Sequence, residues 1–157
     1  MRKRIITQVP RDTARLDQEW LKVELLAQVE VTSEDAANPV ESALVAGTER
    51  GWRAARPGEQ SIRLIFDQPQ RLKRIRLFFE EHKWERTQEF VLRWSPDGGK
   101  SYQDIVRQQW NFSPRGTVKE VEDYRVELSG VTVLELNIEP DKNGGDARAS
   151  LGQLRLS

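Results

Sequence analysis

The stretch from Trp94 to Tyr102, WSPDGGKSY, contains the letters GGKS, which also close the phosphate-binding P-loop of nucleotide enzymes. A P-loop needs a further glycine five residues before its Gly-Lys-Ser, a position that Trp94 occupies here. The residues after Ser101 have the alternating pattern of a strand, whereas a P-loop is followed by a helix. Asp97-Gly98 between two alternating runs instead predicts a β-hairpin, because glycine accepts the positive φ of tight turns.

Other residue types with catalytic potential give no complete site. His82 is the only histidine, so a zinc motif with two histidines on one helix face is excluded, and no Gly-x-Ser-x-Gly elbow presents a serine nucleophile. The absence of cysteine excludes disulfides, zinc–thiolate sites and thiol nucleophiles. Acidic residues cluster near His82, but the sequence alone pairs none of them across a cleft as a glycosidase requires. We therefore predict a protein that is not an enzyme.

Aromatic residues in polar segments are more informative. Trp84 lies in EEHKWERTQ, and Trp110 and Phe112 lie in RQQWNFSPRGT. Each ring either folds back over the core or belongs to a recognition surface, since flat rings with a few polar groups suit small polar ligands. The predicted ligand-binding residues are His82, Trp84, Arg86, Trp110, Asn111 and Phe112.

The elements that would position these residues are short strands. Period-two alternation, which is typical of half-buried strands, recurs from Ser61 to the C-terminus. Turn clusters separate the alternating runs at strand-length intervals, which favours a sandwich or jelly roll over alternating βα units. The predicted turns include Asp67-Gln68-Pro69, Pro96-Asp97-Gly98-Gly99, Ser113-Pro114-Arg115-Gly116, Ser129-Gly130 and Asn143-Gly144-Gly145.

The chain is predicted to form one domain. Residues 1–25 read as an N-terminal extension, with a short helix or turn leading into the strand AQVEVTS, and residues 26–157 as the main domain. The 25 basic and 25 acidic residues balance, which gives little support to nucleic-acid binding. No apolar run is long enough for a signal peptide or a membrane span, so we expect a cytoplasmic protein.

Several segments, in order, resemble the discoidin family, the C-type domains of coagulation factors V and VIII, within the galactose-binding-like superfamily. LAQVEVTSEDAANPVESALVAG resembles that family's first strand, loop and A-L-D-G region. GWRAARPGEQSIRLIFDQPQRLKRIRLFF resembles its tryptophan and next two strands, FVLRWSPDGGKSYQDIV its hairpin, and ASLGQLRL its last strand. The resemblance implies an all-β, eight-stranded antiparallel jelly-roll β-sandwich that serves as a non-catalytic binding module.

The same resemblance implies how the module works and where this chain departs. Family members bind carbohydrates, lipids or proteins through loops at one end of the sandwich, so the leading prediction is carbohydrate and the alternative an intracellular protein–protein interaction or substrate-recruiting domain. The family's aspartate is missing around Val45 to Gly47, and Gln153 stands where a glutamate is common, which argues against its structural calcium ion. The acidic segment EPDKNGGDA lacks EF-hand spacing and reads as an ordinary turn. No cofactor is predicted.

Overall fold

The computed structural model describes residues 20–47 and 50–157. In this part of the chain two short helices and eight strands follow one another. They are α1 (Val23–Leu26), β1 (Ala27–Val31), α2 (Glu41–Leu44), β2 (Trp52–Arg53), β3 (Gln60–Glu80), β4 (Arg86–Ser95), β5 (Gln103–Phe112), β6 (Lys119–Glu139), β7 (Ser150–Leu151) and β8 (Gln153–Leu156). The helices of the described residues are too short to cross a membrane.

Two long strands, β3 and β6, each contribute to both sheets of a sandwich. The first half of β3 pairs with β1 and with the second half of β6, which continues into β4 and then β5. The second half of β3 pairs with the first half of β6 and with β8. All these pairings are antiparallel, so a larger five-stranded layer faces a smaller three-stranded one. The predicted eight-stranded jelly-roll sandwich is confirmed.

The predicted turns at Asp67-Gln68-Pro69 and Ser129-Gly130 are wrong as breaks between strands. Both segments lie inside a strand, where the β3–β6 register shifts between Ile65 and Arg74. Gly130 has a φ of 71°, which lets β6 bend while it keeps its pairing on either side. Turn-forming residues here bend two long strands from one sheet into the other.

The core lies between the two layers and is built from the alternation seen in the sequence. Ile62, Leu64 and Phe66 on the first half of β3 are buried, as predicted. On the second half of the strand Ile75, Leu77 and Phe79 are buried in the same way, and they join one core cluster with the first set. The Phe79 ring stacks on Phe90 of β4 at 5.3 Å between centroids. Burial of these side chains holds the two sheets together.

The outer face of the larger sheet carries charges that neutralise one another. Glu135 of β6 lies in register between Arg63 of β3 and Arg93 of β4. Arg63 donates to Glu135 at 2.7 Å, and Arg93 donates to its other carboxylate oxygen. Burial alone would raise the pKa of Glu135, but the two arginines hold it below its usual value. The buried Glu135 carboxylate is therefore satisfied within the sheet.

The loop between β4 and β5 confirms the predicted hairpin. Asp97 accepts hydrogen bonds from the Ser95 hydroxyl at 2.6 Å and from the backbone N–H of Ser101 at 2.9 Å. The backbone N–H of Gly98 donates to the Thr132 hydroxyl at 2.9 Å. Amides that would surround a phosphate in a P-loop are already bonded within the protein.

The described part of the N-terminal segment packs onto the sandwich. α1 leads directly into β1, as predicted, and Val23 is buried. The backbone N–H of Leu21 donates to the Leu156 carbonyl at 2.7 Å, and the Arg74 guanidinium lies 4.9 Å from the Trp20 ring centroid. Residues 1–19 lie outside the described residues, and the boundary between residues 25 and 26 stays a prediction.

Candidate functional site: the Trp84 cleft

The connection between β3 and β4 carries an exposed tryptophan. Trp84 has 63% of its surface exposed, and it is the exposed large aromatic among residues 20–47 and 50–157. It lines two adjoining cavities of about 230 and 670 Å³. We call them the first and the second cavity and, together, the Trp84 cleft. Both cavities share Arg53, Trp84, Asp146, Ala147 and Arg148.

A small two-stranded sheet fixes one wall of the cleft. Trp52 of β2 pairs with Leu151 of β7, is buried, and donates its indole N–H to the Ser33 carbonyl at 3.0 Å. Gly51 precedes it with a φ of 70°, and a Cβ at this position would lie 2.6 Å from the Leu151 carbonyl oxygen. The close approach of β2 to β7 therefore requires glycine at residue 51.

Backbone hydrogen bonds hold Arg53 and its neighbours at this wall. The Arg53 carbonyl accepts from the Asp35 amide at 2.8 Å, and the Arg53 amide donates to the Asn38 carbonyl at 3.1 Å. One residue further on, the Ala54 amide donates to the Ala149 carbonyl at 2.9 Å. These bonds join three loops, so the backbone that carries the cleft side chains is tied together.

A partly buried ion pair between the two ends of the Trp84 loop stabilises its position. Arg86 Nε donates to Glu81 at 2.8 Å, and the second Glu81 oxygen accepts the Lys83 amide at 3.1 Å. Burial by itself would raise the pKa of Glu81. The hydrogen bond from Arg86 and those from the Lys83 and Trp84 amides lower the pKa overall. Glu81, three residues before Trp84, is thus ionised and fixes the start of the loop.

Arg86 and Phe112, two predicted ligand contacts, are interior residues. The Arg86 side chain is 1% exposed, donates to the Pro140 carbonyl at 2.8 Å, and lies 4.6 Å from the Phe112 ring centroid. Phe112 is itself buried. Both side chains support the loop from inside, and their contact with a ligand stays a prediction. Arg86 still forms part of the second cavity's wall.

The other predicted residues are spread over different surfaces. Trp110 is in register with Gln88 and is partly buried against the core, with its indole N–H enclosed. Asn111 is exposed, and its side-chain oxygen accepts the Thr87 hydroxyl at 2.8 Å. His82 is exposed beside Glu80, at 3.2 Å, and does not line either cavity. Of the six, only Trp84 is both exposed and in the cleft, and ligand contact stays a prediction for all of them.

The cleft also contains residues that the sequence did not identify. Arg53 follows the buried Trp52, while Asp146 and Arg148 follow the two glycines of the acidic turn EPDKNGGDA. The signal was the presence of charged residues beside glycines in two distant loops. Nothing in the spacing showed that β2 and β7 would pair and bring those loops together.

The cleft offers both hydrogen-bond donors and acceptors to a polar ligand. Arg53 and Arg148 are exposed, and in the described structure neither has a carboxylate within 4 Å. Asp35 and Asp146 supply carboxylate acceptors on the second cavity's wall. An exposed ring beside such groups suits a ligand with one apolar face and many hydroxyls.

The calcium site that the family resemblance implies does not fit these residues. Arg155 of β8 donates to the Ala43 carbonyl at 2.9 Å and approaches the Val45 carbonyl at 3.5 Å. A guanidinium thus satisfies backbone oxygens in the segment where the family's aspartate is missing, and a second cation there would be repelled. Among the described residues no group of three or more acidic or histidine side chains is arranged to hold a metal.

Comparison with solved structures identifies the architecture. A module of a family 31 glycoside hydrolase from Clostridium perfringens matches with a TM-score of 0.64 and 16% identity, covering 89% of this chain and 95% of that one. The family 32 carbohydrate-binding module of C. perfringens NanJ, solved with galactose, matches at 0.62 and 14%, covering 87% and 96%. This chain has the fold of carbohydrate-binding modules. The discoidin-like fold predicted from the sequence is confirmed.

The structures that share this fold have low sequence identity to the chain. A pectin-binding carbohydrate-binding module matches with a TM-score of 0.59 and 17% identity over 84% of this chain and 90% of that one. Some similar modules are domains of enzymes, such as the one in a truncated alginate lyase. No family model matches the chain, and no curated protein matches it by sequence.

Proposed function

We propose that this protein is a non-catalytic carbohydrate-binding module that holds its ligand in the Trp84 cleft. The observation that carries this proposal is the exposed Trp84 ring, placed between two cavities at the loop end of a sandwich. Proteins with this fold include a module solved with galactose and another solved with the disaccharide GalNAc-β-1,3-galactose. Their ligands support a saccharide as the ligand class here.

The chemistry of the cleft matches a sugar ring. The C–H face of a pyranose packs on an aromatic ring, which removes apolar area of both from water. Hydroxyl groups around the ring need donors and acceptors together, which Arg53, Arg148, Asp35 and Asp146 provide. Charged partners make such hydrogen bonds stronger than neutral ones do. Binding and orientation, without a reaction, are what these residues perform.

A glycan-array screen followed by calorimetry on the best saccharide tests the proposal. We expect Trp84→Ala to weaken binding at least about tenfold, since a truncated aromatic hot spot costs about 2 kcal/mol or more. Trp84→Phe, which keeps a smaller ring, retains part of the affinity.

The control is Trp94→Phe, because Trp94 is half-buried and contacts the core away from the cleft. A folded protein that binds no saccharide, or a Trp84→Ala variant with unchanged affinity, contradicts the proposal.

A protein partner remains the second candidate. An exposed tryptophan beside arginines is also the composition of protein interface hot spots. Pull-down from lysate with wild-type protein and Trp84→Ala distinguishes the two, because a stoichiometric partner lost in the variant favours the interaction domain. The cytoplasmic location stays part of this second proposal, and cell fractionation tests it.

A further inference from the structure

The two cavities of the Trp84 cleft differ in charge. The first cavity alone is lined by Arg50 and Lys83, in addition to the Arg53 and Arg148 that both cavities share. The second cavity alone is lined by Asp35, Glu85 and Asp141, and by Arg86, whose charge is paired with Glu81. Trp84 stands between a basic side and an acidic side, so a ligand that covers its ring is exposed to both.

The acidic groups of the first cavity are largely engaged elsewhere. Glu81 is paired with Arg86 at 2.8 Å. Glu80 lies 3.2 Å from His82 and 3.9 Å from Lys119. Asp146 is then the one carboxylate of this cavity's described lining without a cationic partner within 4 Å.

The basic groups of the first cavity are not engaged. In the described structure Arg50, Arg53, Lys83 and Arg148 form no ion pair within 4 Å and donate no side-chain hydrogen bond to the protein. By contrast, Arg63 and Arg93 on the outer face of the larger sheet share Glu135, and Arg74 pairs with Asp123. Four unpaired cations against one unpaired carboxylate leave this cavity with surplus positive charge.

We propose that the cleft selects an anionic saccharide, whose carboxylate or sulfate lies in the first cavity while the sugar ring packs on Trp84. This inference rests on the proposed carbohydrate function and names its ligand class. Arginine donates two parallel hydrogen bonds to a planar carboxylate, which Lys83 supplements as a point charge. The carboxylates of the second cavity accept hydrogen bonds from the hydroxyls on the opposite side of the sugar ring.

The test uses pairs of saccharides that differ only in charge. Oligogalacturonate is compared with its methyl ester, which keeps the sugar backbone and removes the negative charge, and a sulfated galactoside is compared with its unsulfated parent. We expect the charged member of a pair to bind at least about tenfold more tightly. Raising salt from about 0.1 M to about 1 M shortens the Debye length from about 10 to about 3 Å and should reduce that ratio.

The double variant Arg50→Gln, Lys83→Gln should lower affinity for the charged member more than for the neutral one and bring their ratio near one. Lys100→Gln, Arg115→Gln removes the same charge from two exposed loops away from the cleft and should preserve the ratio. Tight binding of only the sulfated sugar also supports the inference and identifies sulfate as the anion.

Two outcomes overturn the inference, and they are distinguishable. Trp84-dependent binding of neutral sugars with no advantage for the charged member leaves the carbohydrate function intact and removes the anionic preference. Absence of binding to every saccharide removes both.

Discussion

Arg86 is the residue on which the position of the Trp84 loop depends. Its guanidinium bonds Glu81, Gln88 and the Pro140 carbonyl, and it lies against the Phe112 ring. Arg86→Met should destabilise the fold by about 3 kcal/mol, because it leaves Glu81 without its partner. For a domain of this size that lowers Tm by about 2–4 °C per kcal/mol. Thermal unfolding measures the loss, and hydrogen exchange at Lys83 should become faster.

Glu85→Gln is the control for Arg86→Met, since Glu85 lies in the same loop, is exposed, and forms no ion pair in the described structure. Its Tm should remain within about 1 °C of wild type, in keeping with the small effect of most surface substitutions. An unchanged Tm in Arg86→Met would show that the ion pair does not hold the loop.

At the residue scale the sequence predicted the exposed aromatic but not its neighbours. Trp84 lies in a run of polar residues, and an aromatic ring in such a run is predicted to be exposed to water. Arg86 lies in the same run and looked like a surface contact. Its burial depends on Glu81 and on the carbonyl of Pro140, which is 54 residues away, and no local pattern encodes that meeting.

The last strand, β8, is joined to the start of the domain by a cationic side chain. Arg155 on this strand donates to the carbonyl of Ala43 in α2, which joins the last strand to a segment more than a hundred residues earlier. Burial lowers the pKa of Arg155, because it removes the guanidinium partly from water. The guanidinium thus places a positive charge against the Ala43 and Val45 carbonyls, where it would repel a metal ion.

Calcium should therefore leave the stability of this protein unchanged. We expect added CaCl2 and added EDTA to shift Tm by less than about 1 °C, whereas Arg155→Met removes hydrogen bonds from a charged donor worth about 1.5–3 kcal/mol. Arg115→Met, in the exposed turn after β5, should have no such effect. A Tm that rises by several degrees with calcium would show that the site accepts the ion despite Arg155.

The elements themselves were largely predictable, and the exceptions have one cause. Alternation predicted the inward residues of β3 and the hairpin between β4 and β5, because side-chain period and turn chemistry are local. It did not predict that β3 and β6 continue through their turn-forming residues, or that two-residue strands β2 and β7 pair. Those features depend on how the two sheets close over a shared core.

For the molecule as a whole, one polar cluster lies inside the sandwich. Glu120 of β6 is fully buried and accepts a hydrogen bond from Gln88 of β4 at 3.1 Å. Arg86 faces it from β4, and Glu122 faces it from its own strand, where the Tyr124 hydroxyl donates to Glu122 at 3.0 Å. Burial first, and then the proximity of Glu122, raises the pKa of Glu120. The cluster joins both layers, so its protonation affects global stability.

This cluster should make the protein less stable as pH rises towards 8. The pKa of Glu120 is raised from 4.5 to about 8, so between these values the folded state keeps a proton that the unfolded state releases. Across this range each pH unit lowers the free energy of unfolding by at most about 1.4 kcal/mol. Glu120→Gln cannot ionise, so the Tm of this variant relative to wild type should increase from pH 5 to pH 8. Glu127→Gln changes an exposed carboxylate in the middle of β6 and should follow wild type. Parallel pH profiles for wild type and Glu120→Gln would show that Glu120 ionises alike in both states.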